Sequence, residues 1–222
     1  MRVLVFDVNE TLLDLHGLDP FFARTFGDAS IRQEWFGQLL QSALVATVTD
    51  EYADFGKIGM AALDMIAVRK NVSLAPDDRE ALGQAMRQLP PHPEVREALM
   101  QLRNAGYRLA TLTNSTATVA EAQMSNAGLD DLFEQLLSAD TVRRLKPAAE
   151  PYRWAARQLN VETGDIRLIA AHAWDIAGAL RAGCAAAFVS RPGKILDPLA
   201  PSPDIIGANL TEVANLILEA EQ

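Results

Sequence analysis

The sequence predicts an α/β fold: a Rossmann-like parallel sheet core with a helical-bundle cap inserted after the first strand. Three observations predict it. Short apolar runs alternate with helical patterns in the later part of the chain, which is typical of a parallel sheet covered on both faces. A glycine follows several of the helical patterns and marks their ends. The segment after the first apolar run has helical spacing throughout and no convincing strand.

The strand candidates are short runs rich in β-branched and other apolar residues. In chain order they are VLVF (3–6), RLATLT (108–113), the weaker LLSA (136–139), RLIAA (167–171), AAFV (186–189) and DII (204–206). Helical patterns separate the later runs: PEVREALMQLRNAG up to Gly106, TATVAEAQMSNAG up to Gly128, AEPYRWAARQLN, and WDIAGALRAG up to Gly183. A strand followed by a helix, repeated in this way, indicates a parallel sheet with helices on both faces.

The inserted segment carries four helical patterns: FFARTF, EWFGQLLQSALVAT, GKIGMAALDMIAV and DREALGQAMRQL. The proline-rich PPHP at 90–93 marks the return to the sheet. We therefore expect a core domain built from residues 1–14 and 91–222, and a helical cap domain of residues 15–90.

Composition narrows the classes of partner and compartment. The net charge of −9, without a cluster of Lys or Arg, argues against nucleic acid and against an anionic membrane surface. The single cysteine, Cys184, leaves no partner for an internal disulfide. The sequence has no apolar run of about 18 residues and no signal-peptide pattern. We expect a cytoplasmic protein that acts on a small molecule.

Polar side chains follow four of the predicted strands. In an open parallel sheet, ligands bind beyond the carboxyl ends of the strands, so these residues should converge. They are Asp7, Val8 and Asn9 after the first run, Thr113 and Asn114 after the second, Lys146 past the third, and His172, Trp174 and Asp175 after the fourth. The convergence of several ionisable groups predicts a catalytic site at this edge.

The motifs FDVNETL, LTNS, LKP and AWD, in this order on an α/β core with a cap, resemble the haloacid dehalogenase superfamily. The patterns K-P-x-x-x-x-Y and A-W-D-x-x-G-A make the chain most similar to the (S)-2-haloacid dehalogenase (type II) branch. The resemblance extends from residue 3 to about residue 193.

The resemblance implies a hydrolase that acts on carbon–halide bonds without a metal or cofactor. Asp7 would attack C2 of a short 2-haloalkanoic acid, and water would then hydrolyse the ester to a 2-hydroxy acid. Lys146 would hold Asp7 ionised, and Asp175 would pair with Lys146 and assist the water. Thr11 would hydrogen-bond Asp7, with capping of the next turn as the alternative.

The resemblance also implies the binding residues. The substrate carboxylate would be held by the backbone N–H groups of Val8 and Asn9 and by the hydroxyl of Thr113. The remaining candidates are Asn114 as a donor to the halide, Trp35 and Phe36 as an apolar cradle for it, and Tyr152 and Trp174 as further site residues.

The chain departs from the family pattern at two places. The family has an Arg where this chain has Phe36, so the departing halide loses a strong donor. In the fourth loop the family pattern resembles S-S-N-A-W-D, whereas this chain has A-A-H-A-W-D from Ala170 to Asp175. His172 has two interpretations: it positions or deprotonates the hydrolytic water, or it only orients Asp175 or Lys146.

Three alternatives stay open. A phosphatase of the same fold would need magnesium, and Asn9 argues against it because an amide cannot act as a general acid or base. A degenerate protein that only binds a small acid would explain Phe36, although Asp7 and Lys146 argue against it. Fluoride could be the preferred leaving group in a pocket without the Arg. The apolar cap surface leads us to expect a homodimer.

Overall fold

The computed structural model describes residues 2–220 and confirms the predicted α/β fold. Within these residues, six strands form one parallel sheet in the order β3-β2-β1-β4-β5-β6. The strands are β1 (Val3–Phe6), β2 (Leu109–Thr113), β3 (Gln135–Ser138), β4 (Ile166–Ala170), β5 (Ala185–Val189) and β6 (Ile205–Gly207). Each lies within one residue of a predicted run.

Strand β1 lies in the middle of the sheet and pairs with β2 and β4. Its four residues are fully buried, as expected for a strand covered on both faces. The pairing places Phe6 beside Thr111 on one side and Ile169 on the other. The residues that follow β1, β2 and β4 therefore meet at one edge of the sheet.

The cap segment folds into four helices: α1 (Asp19–Phe26), α2 (Ile31–Val48), α3 (Phe55–Lys70) and α4 (Asp78–Arg87). Helices α2 and α3 pack against each other, and Trp35 Nε1 donates a hydrogen bond to the Gly59 carbonyl at 2.9 Å. The exposed surfaces of α2 and α3 carry Leu44, Val45, Val48, Met65 and Val68. The predicted homodimer stays a prediction.

The core helices are α5 (Val95–Asn104), α6 (Ala117–Asn126), α7 (Ala149–Gln158), α8 (Ala173–Ala182) and α9 (Leu210–Ala220). Four of them coincide with predicted patterns, whereas α9, which packs on α5 and β6, was not predicted. Helix α8 ends at Gly183 with a φ of 99°, a left-handed conformation that glycine adopts without strain.

The helices of the insert lie inside the predicted cap range of 15–90, and the domain boundaries themselves stay a prediction. The predicted core range also includes residues 1, 221 and 222, which lie outside the described residues. Within residues 2–220, we find no helix whose length and apolar character would let it span a membrane.

Candidate active site

Asp7 occupies the first position after β1, and only 5% of its surface is exposed. Its backbone N–H continues the sheet by donating to the Ile169 carbonyl at 3.0 Å. The Thr11 hydroxyl donates to Asp7 Oδ2 at 2.7 Å and accepts the Ala171 N–H at 2.9 Å. Thr11 therefore fixes the Asp7 carboxylate and links the loop after β1 to the end of β4.

Lys146 is fully buried and neutralises part of the charge around Asp7. Its Nζ donates to Asp7 Oδ1 at 2.9 Å, to Asp175 Oδ2 at 2.6 Å and to the Leu112 carbonyl at 2.7 Å. Three acceptors use all three ammonium hydrogens. Because an unpaired buried charge is costly, this arrangement explains how a lysine is tolerated here.

The ionisation of the cluster follows from these contacts. Burial opposes the charge on Asp7, but Lys146 and His172 outweigh it and hold the pKa of Asp7 well below its usual range. Burial also lowers the pKa of Lys146, but the charges of Asp175 and Asp7 raise it overall. Burial, together with the charge of Asp7, raises the pKa of Asp175. Asp7 is therefore the carboxylate held most firmly in its ionised form.

Tyr152 and Asn114 position the cluster. The Tyr152 hydroxyl donates to Asp175 Oδ1 at 2.5 Å, so its proton is committed to Asp175 and not to a substrate. The Asn114 side chain accepts the Lys146 N–H at 2.8 Å and donates to the Lys146 carbonyl at 3.2 Å. One amide hydrogen of Asn114 is left for the predicted contact with a halide, which stays a prediction.

Asn9 stands two residues after Asp7, and its side chain is held by the core. The amide donates to Ser115 Oγ at 3.3 Å and accepts from Gln123 Nε2 at 3.0 Å. Gln123 on α6 also donates to the Met86 carbonyl at 2.8 Å, so it links the core to the cap. Gln123 was not predicted as a site residue because its polar role shows only in the folded contacts.

A cavity of about 240 Å³ lies above Asp7. The core contributes its polar wall, which consists of Asp7, Asn9, Thr113, Asn114, Lys146, His172 and Trp174. The cap contributes Phe36, Leu40 and Phe55. Thr113 is buried, and its Oγ1 accepts the Ser115 N–H, which leaves the hydroxyl proton available to a ligand. Val8 is fully buried beside Asp7.

The prediction that Trp35 and Phe36 together form an apolar cradle for the halide is wrong for Trp35. Phe36 lines the cavity, but Trp35 is buried inside the cap and lines a separate apolar cavity of about 560 Å³. The cause is the Trp35 indole N–H, which points to the Gly59 carbonyl on α3. Packing within the cap therefore turns the two neighbouring aromatic rings to different cavities.

The His172 side chain lies between the carboxylates of Glu10 and Asp7. Its Nε2 is 2.8 Å from Glu10 Oε2, and its Nδ1 is 3.4 Å from Asp7 Oδ2. The imidazole stacks on Trp174 at 5.2 Å between ring centroids and faces Phe36 at 6.0 Å. These ring contacts do not support the interpretation that the His172 side chain orients Asp175 or Lys146, and the role of His172 stays a prediction.

The acidic neighbours determine the protonation of His172. Burial lowers the pKa of His172, but hydrogen bonding and charge from Asp7 and Glu10 outweigh burial and raise the pKa overall. Glu10 was not predicted as a site residue. The signal was present, because Glu10 and His172 follow β1 and β4, which are paired neighbours in the sheet.

Among residues 2–220, no group of three or more His, Cys, Asp or Glu side chains is arranged to hold a metal ion. The prediction that the reaction needs no metal stays a prediction. The fold and the site together define a member of a hydrolase class built on an aspartate at the end of the first strand.

The chain belongs to the haloacid dehalogenase-like hydrolase family, whose model matches residues 1–183. It is 30% identical over 219 residues to (S)-2-haloacid dehalogenase 2 of Pseudomonas sp. (strain CBS-3), covering 98% of this chain and 96% of that protein. It is 28% identical to the (S)-2-haloacid dehalogenase of Pseudomonas sp. (strain YL), covering 97% and 94%.

A solved structure shows the same fold. The L-2-haloacid dehalogenase from Xanthobacter autotrophicus, with chloropropionic acid covalently bound, superposes with a TM-score of 0.93. The match covers 99% of both chains at 22% sequence identity. The family model and the relative that is 30% identical confirm the family resemblance predicted from the motifs.

Proposed function

We propose that this protein hydrolyses short 2-haloalkanoic acids to 2-hydroxy acids through an ester on Asp7. The observation that carries the proposal is the Asp7–Lys146 pair at the floor of a small cavity, with an amide at Asn9. An ionised carboxylate with its charge only partly neutralised is a nucleophile. The names of the curated relatives support a carbon–halide bond as the target.

In the first step a carboxylate oxygen of Asp7 attacks C2 from the side opposite the halogen. The C–O bond forms as the carbon–halogen bond breaks, and the halide leaves with the electron pair, so the configuration at C2 inverts once. Before the step, the single ammonium of Lys146 faces two carboxylates. After it, Lys146 faces Asp175 alone, so formation of the ester relieves the excess negative charge.

The substrate carboxylate fits the polar wall of the cavity. The Thr113 hydroxyl can donate to it, and the backbone N–H groups of Val8 and Asn9 lie in the turn directly after the nucleophile. The remaining amide hydrogen of Asn114 is the candidate donor to the halide. Phe36 supplies an apolar contact in place of a charged donor, which suits a weakly hydrated halide.

In the second step water attacks the carbonyl carbon of the Asp7 ester. The bond from that carbon to the hydroxy acid breaks, and the carboxylate of Asp7 is restored with one oxygen from water. Asp175 holds Lys146 in place during this step through a bond of 2.6 Å. Tyr152 in turn holds Asp175.

A phosphatase reaction needs a group that donates a proton to the leaving group. Two residues after Asp7, where such a group would stand, this chain has the amide of Asn9. The Asn9 amide is bonded to Ser115 and Gln123 and has no useful pKa for acid–base catalysis. A carbon–halide bond needs no such donor because halide leaves without protonation. Asn9 therefore favours dehalogenation over phosphoryl transfer.

The proposal is tested by measuring halide release from chloroacetate, fluoroacetate and both enantiomers of 2-chloropropionate, with and without a chelator. We expect chloride release that the chelator does not reduce. A phosphate monoester with magnesium is the comparison substrate. Phosphate release that needs magnesium, without halide release from any haloacid, would overturn the proposal in favour of a phosphatase.

A further inference from the structure

Glu10, His172 and Lys194 form a charged chain that ends at the nucleophile. Lys194 Nζ donates to Glu10 Oε2 at 2.5 Å, and the same oxygen lies 2.8 Å from His172 Nε2. The other ring nitrogen of His172 faces Asp7 Oδ2 at 3.4 Å. The three residues come from distant parts of the chain, and all are mostly buried.

The backbone of Glu10 is in an unusual conformation. Its φ is 63°, in the left-handed region that residues other than glycine rarely adopt. The Glu10 N–H donates to the Leu13 carbonyl at 2.8 Å, and the carbonyl of Glu10 lies 3.4 Å from His92 Nε2. A long acidic side chain at such a position is a reason to look for a function.

The contact with Glu10 determines which nitrogen of His172 faces the chemistry. Because Nε2 is bound to the Glu10 carboxylate, it keeps its proton, and Nδ1 is the nitrogen free to exchange one. Nδ1 is buried, and the contact of 3.4 Å with Asp7 Oδ2 is long for a hydrogen bond. It points to the atom that would become part of the ester.

We propose that Glu10 is a positioning residue for His172, and that His172 Nδ1 is the general base in hydrolysis of the Asp7 ester. This inference rests on the proposed function. Water attacks Cγ of Asp7 while its proton passes to Nδ1. As the bond from Cγ to the hydroxy acid breaks, Nδ1 returns that proton to the departing alkoxide oxygen. The remaining acid proton of Asp7 leaves to solvent, so the step balances.

The change of charge at Asp7 restricts the action of Glu10 and His172 to the second step. The ionisable groups that face His172 are Asp7 and Glu10. Lys194 reaches it through Glu10, and on the cap side the Phe36 ring faces it. With both carboxylates charged, the pKa of His172 is raised, which favours the protonated form of Nδ1. Ester formation removes the charge of Asp7, so the pKa of His172 falls and Nδ1 becomes available as a base.

The first test separates the two half-reactions. Enzyme in excess is mixed with chloroacetate, chloride is measured, and the ester is followed by intact-protein mass spectrometry. In His172→Asn, which introduces the family residue without the two serines before it, no base replaces Nδ1. We expect chloride release to continue while the ester accumulates, because hydrolysis slows by about 10²-fold or more. The matched control is His16→Asn, which removes an exposed histidine that pairs with Asp14.

The second test uses the pH profile of ester hydrolysis. In Glu10→Gln the acidic limb should move to lower pH and the plateau should fall by about tenfold, because His172 becomes a weaker base. In Lys194→Met the limb should move the opposite way, to higher pH, because Glu10 then acts on His172 without a competing cation. Glu34→Gln, in an exposed pair with Lys70, is the matched control.

The outcomes distinguish this inference from the proposed function. If His172→Asn hydrolyses the ester at the parent rate, or if Glu10→Gln and Lys194→Met leave the pH profile in place, the inference is overturned while halide release stands. If the parent protein releases no halide, the proposed function itself fails. The opposite shifts of the two charge variants keep the test decisive even where His172→Asn does not fold.

Discussion

The two walls of the cavity above Asp7 differ in chemistry. The core wall carries every ionisable side chain of the cavity lining, namely Asp7, Lys146 and His172. The cap wall consists of Phe36, Leu40 and Phe55. Both walls come from one chain, but the core residues follow parallel strands whereas the cap residues lie on two helices inserted between them.

The ionisable groups of the cavity thus belong to the core wall, whereas the cap wall provides their apolar environment. The core wall holds its charges by direct contacts, so the Asp7 carboxylate is fixed before a ligand binds. The apolar side chains of the cap wall lower the polarity around the core wall, which strengthens its electrostatic interactions. The account therefore predicts large effects for changes in the core wall and smaller, substrate-dependent effects for changes in the cap wall.

The largest effect is expected from the core wall at Asp7. In Asp7→Asn the amide cannot attack carbon, so the rate of halide release should fall by at least ~10⁴-fold. The measurement is chloride release from chloroacetate under saturating conditions. If this variant turned over haloacids at the parent rate, Asp7 would not be the nucleophile.

The next effect concerns the buried cation of the same wall. Lys146→Met leaves Asp7 and Asp175 buried without their partner, so the free energy of unfolding should fall by about 3–5 kcal/mol. In Lys70→Met, which removes the partially exposed partner of Glu34, the loss should be only about 0–1 kcal/mol. Urea denaturation measures the free energy of unfolding of both variants. Equal losses in Lys146→Met and Lys70→Met would show that burial of the ion pairs of Lys146 does not matter.

The cap wall is tested by giving it a charge. In Phe36→Arg a guanidinium in the cap wall can donate to the departing halide, so chloride release in the first turnover should accelerate by about tenfold. Phe36→Leu keeps the wall apolar and should not accelerate it. The assay is rapid-mixing measurement of chloride with excess enzyme. A slower Phe36→Arg enzyme would show that the apolar wall itself promotes halide departure.

The smallest effect is the pH dependence of stability at His172. The folded pKa of His172 is raised, so its charged form stabilises the folded state. That contribution is complete below the unfolded value of about 6.5 and is lost as the pH rises through the folded pKa. The difference in the free energy of unfolding between the parent and His172→Asn should therefore shrink at alkaline pH. The free energies are measured by urea denaturation at each pH. A difference between the two proteins that stays constant over the pH series would contradict the raised pKa.

The sequence predicts the fold well because each strand coincides with a short apolar run, and helical patterns separate the later runs. All six runs become strands within residues 2–220, including the short β6. The helix α9 was not predicted, although its apolar residues Leu210, Val213 and Ile217 recur at helical spacing. This helix lies beyond the last of the site motifs in the chain.

The site is predicted in part, and the limit has a physical cause. The residues after the strands could be named because a parallel sheet brings the carboxyl ends of its strands together. The directions of the side chains could not be predicted, because they depend on contacts between distant segments of the chain. Trp35 turns into the cap, Tyr152 turns to Asp175, and the distant Lys194 reaches Glu10.

The central claim is that Asp7 of the core wall forms a bond to the carbon of the substrate, and isotopic labelling tests it most directly. A single turnover of chloroacetate is run in heavy-oxygen water with enzyme in excess, and the proteolytic peptides are analysed by mass spectrometry. The account predicts heavy oxygen in the carboxylate of Asp7 and none in the hydroxyl of the first-turnover product. Heavy oxygen in that product, with Asp7 unlabelled, would show direct attack by water and contradict the claim.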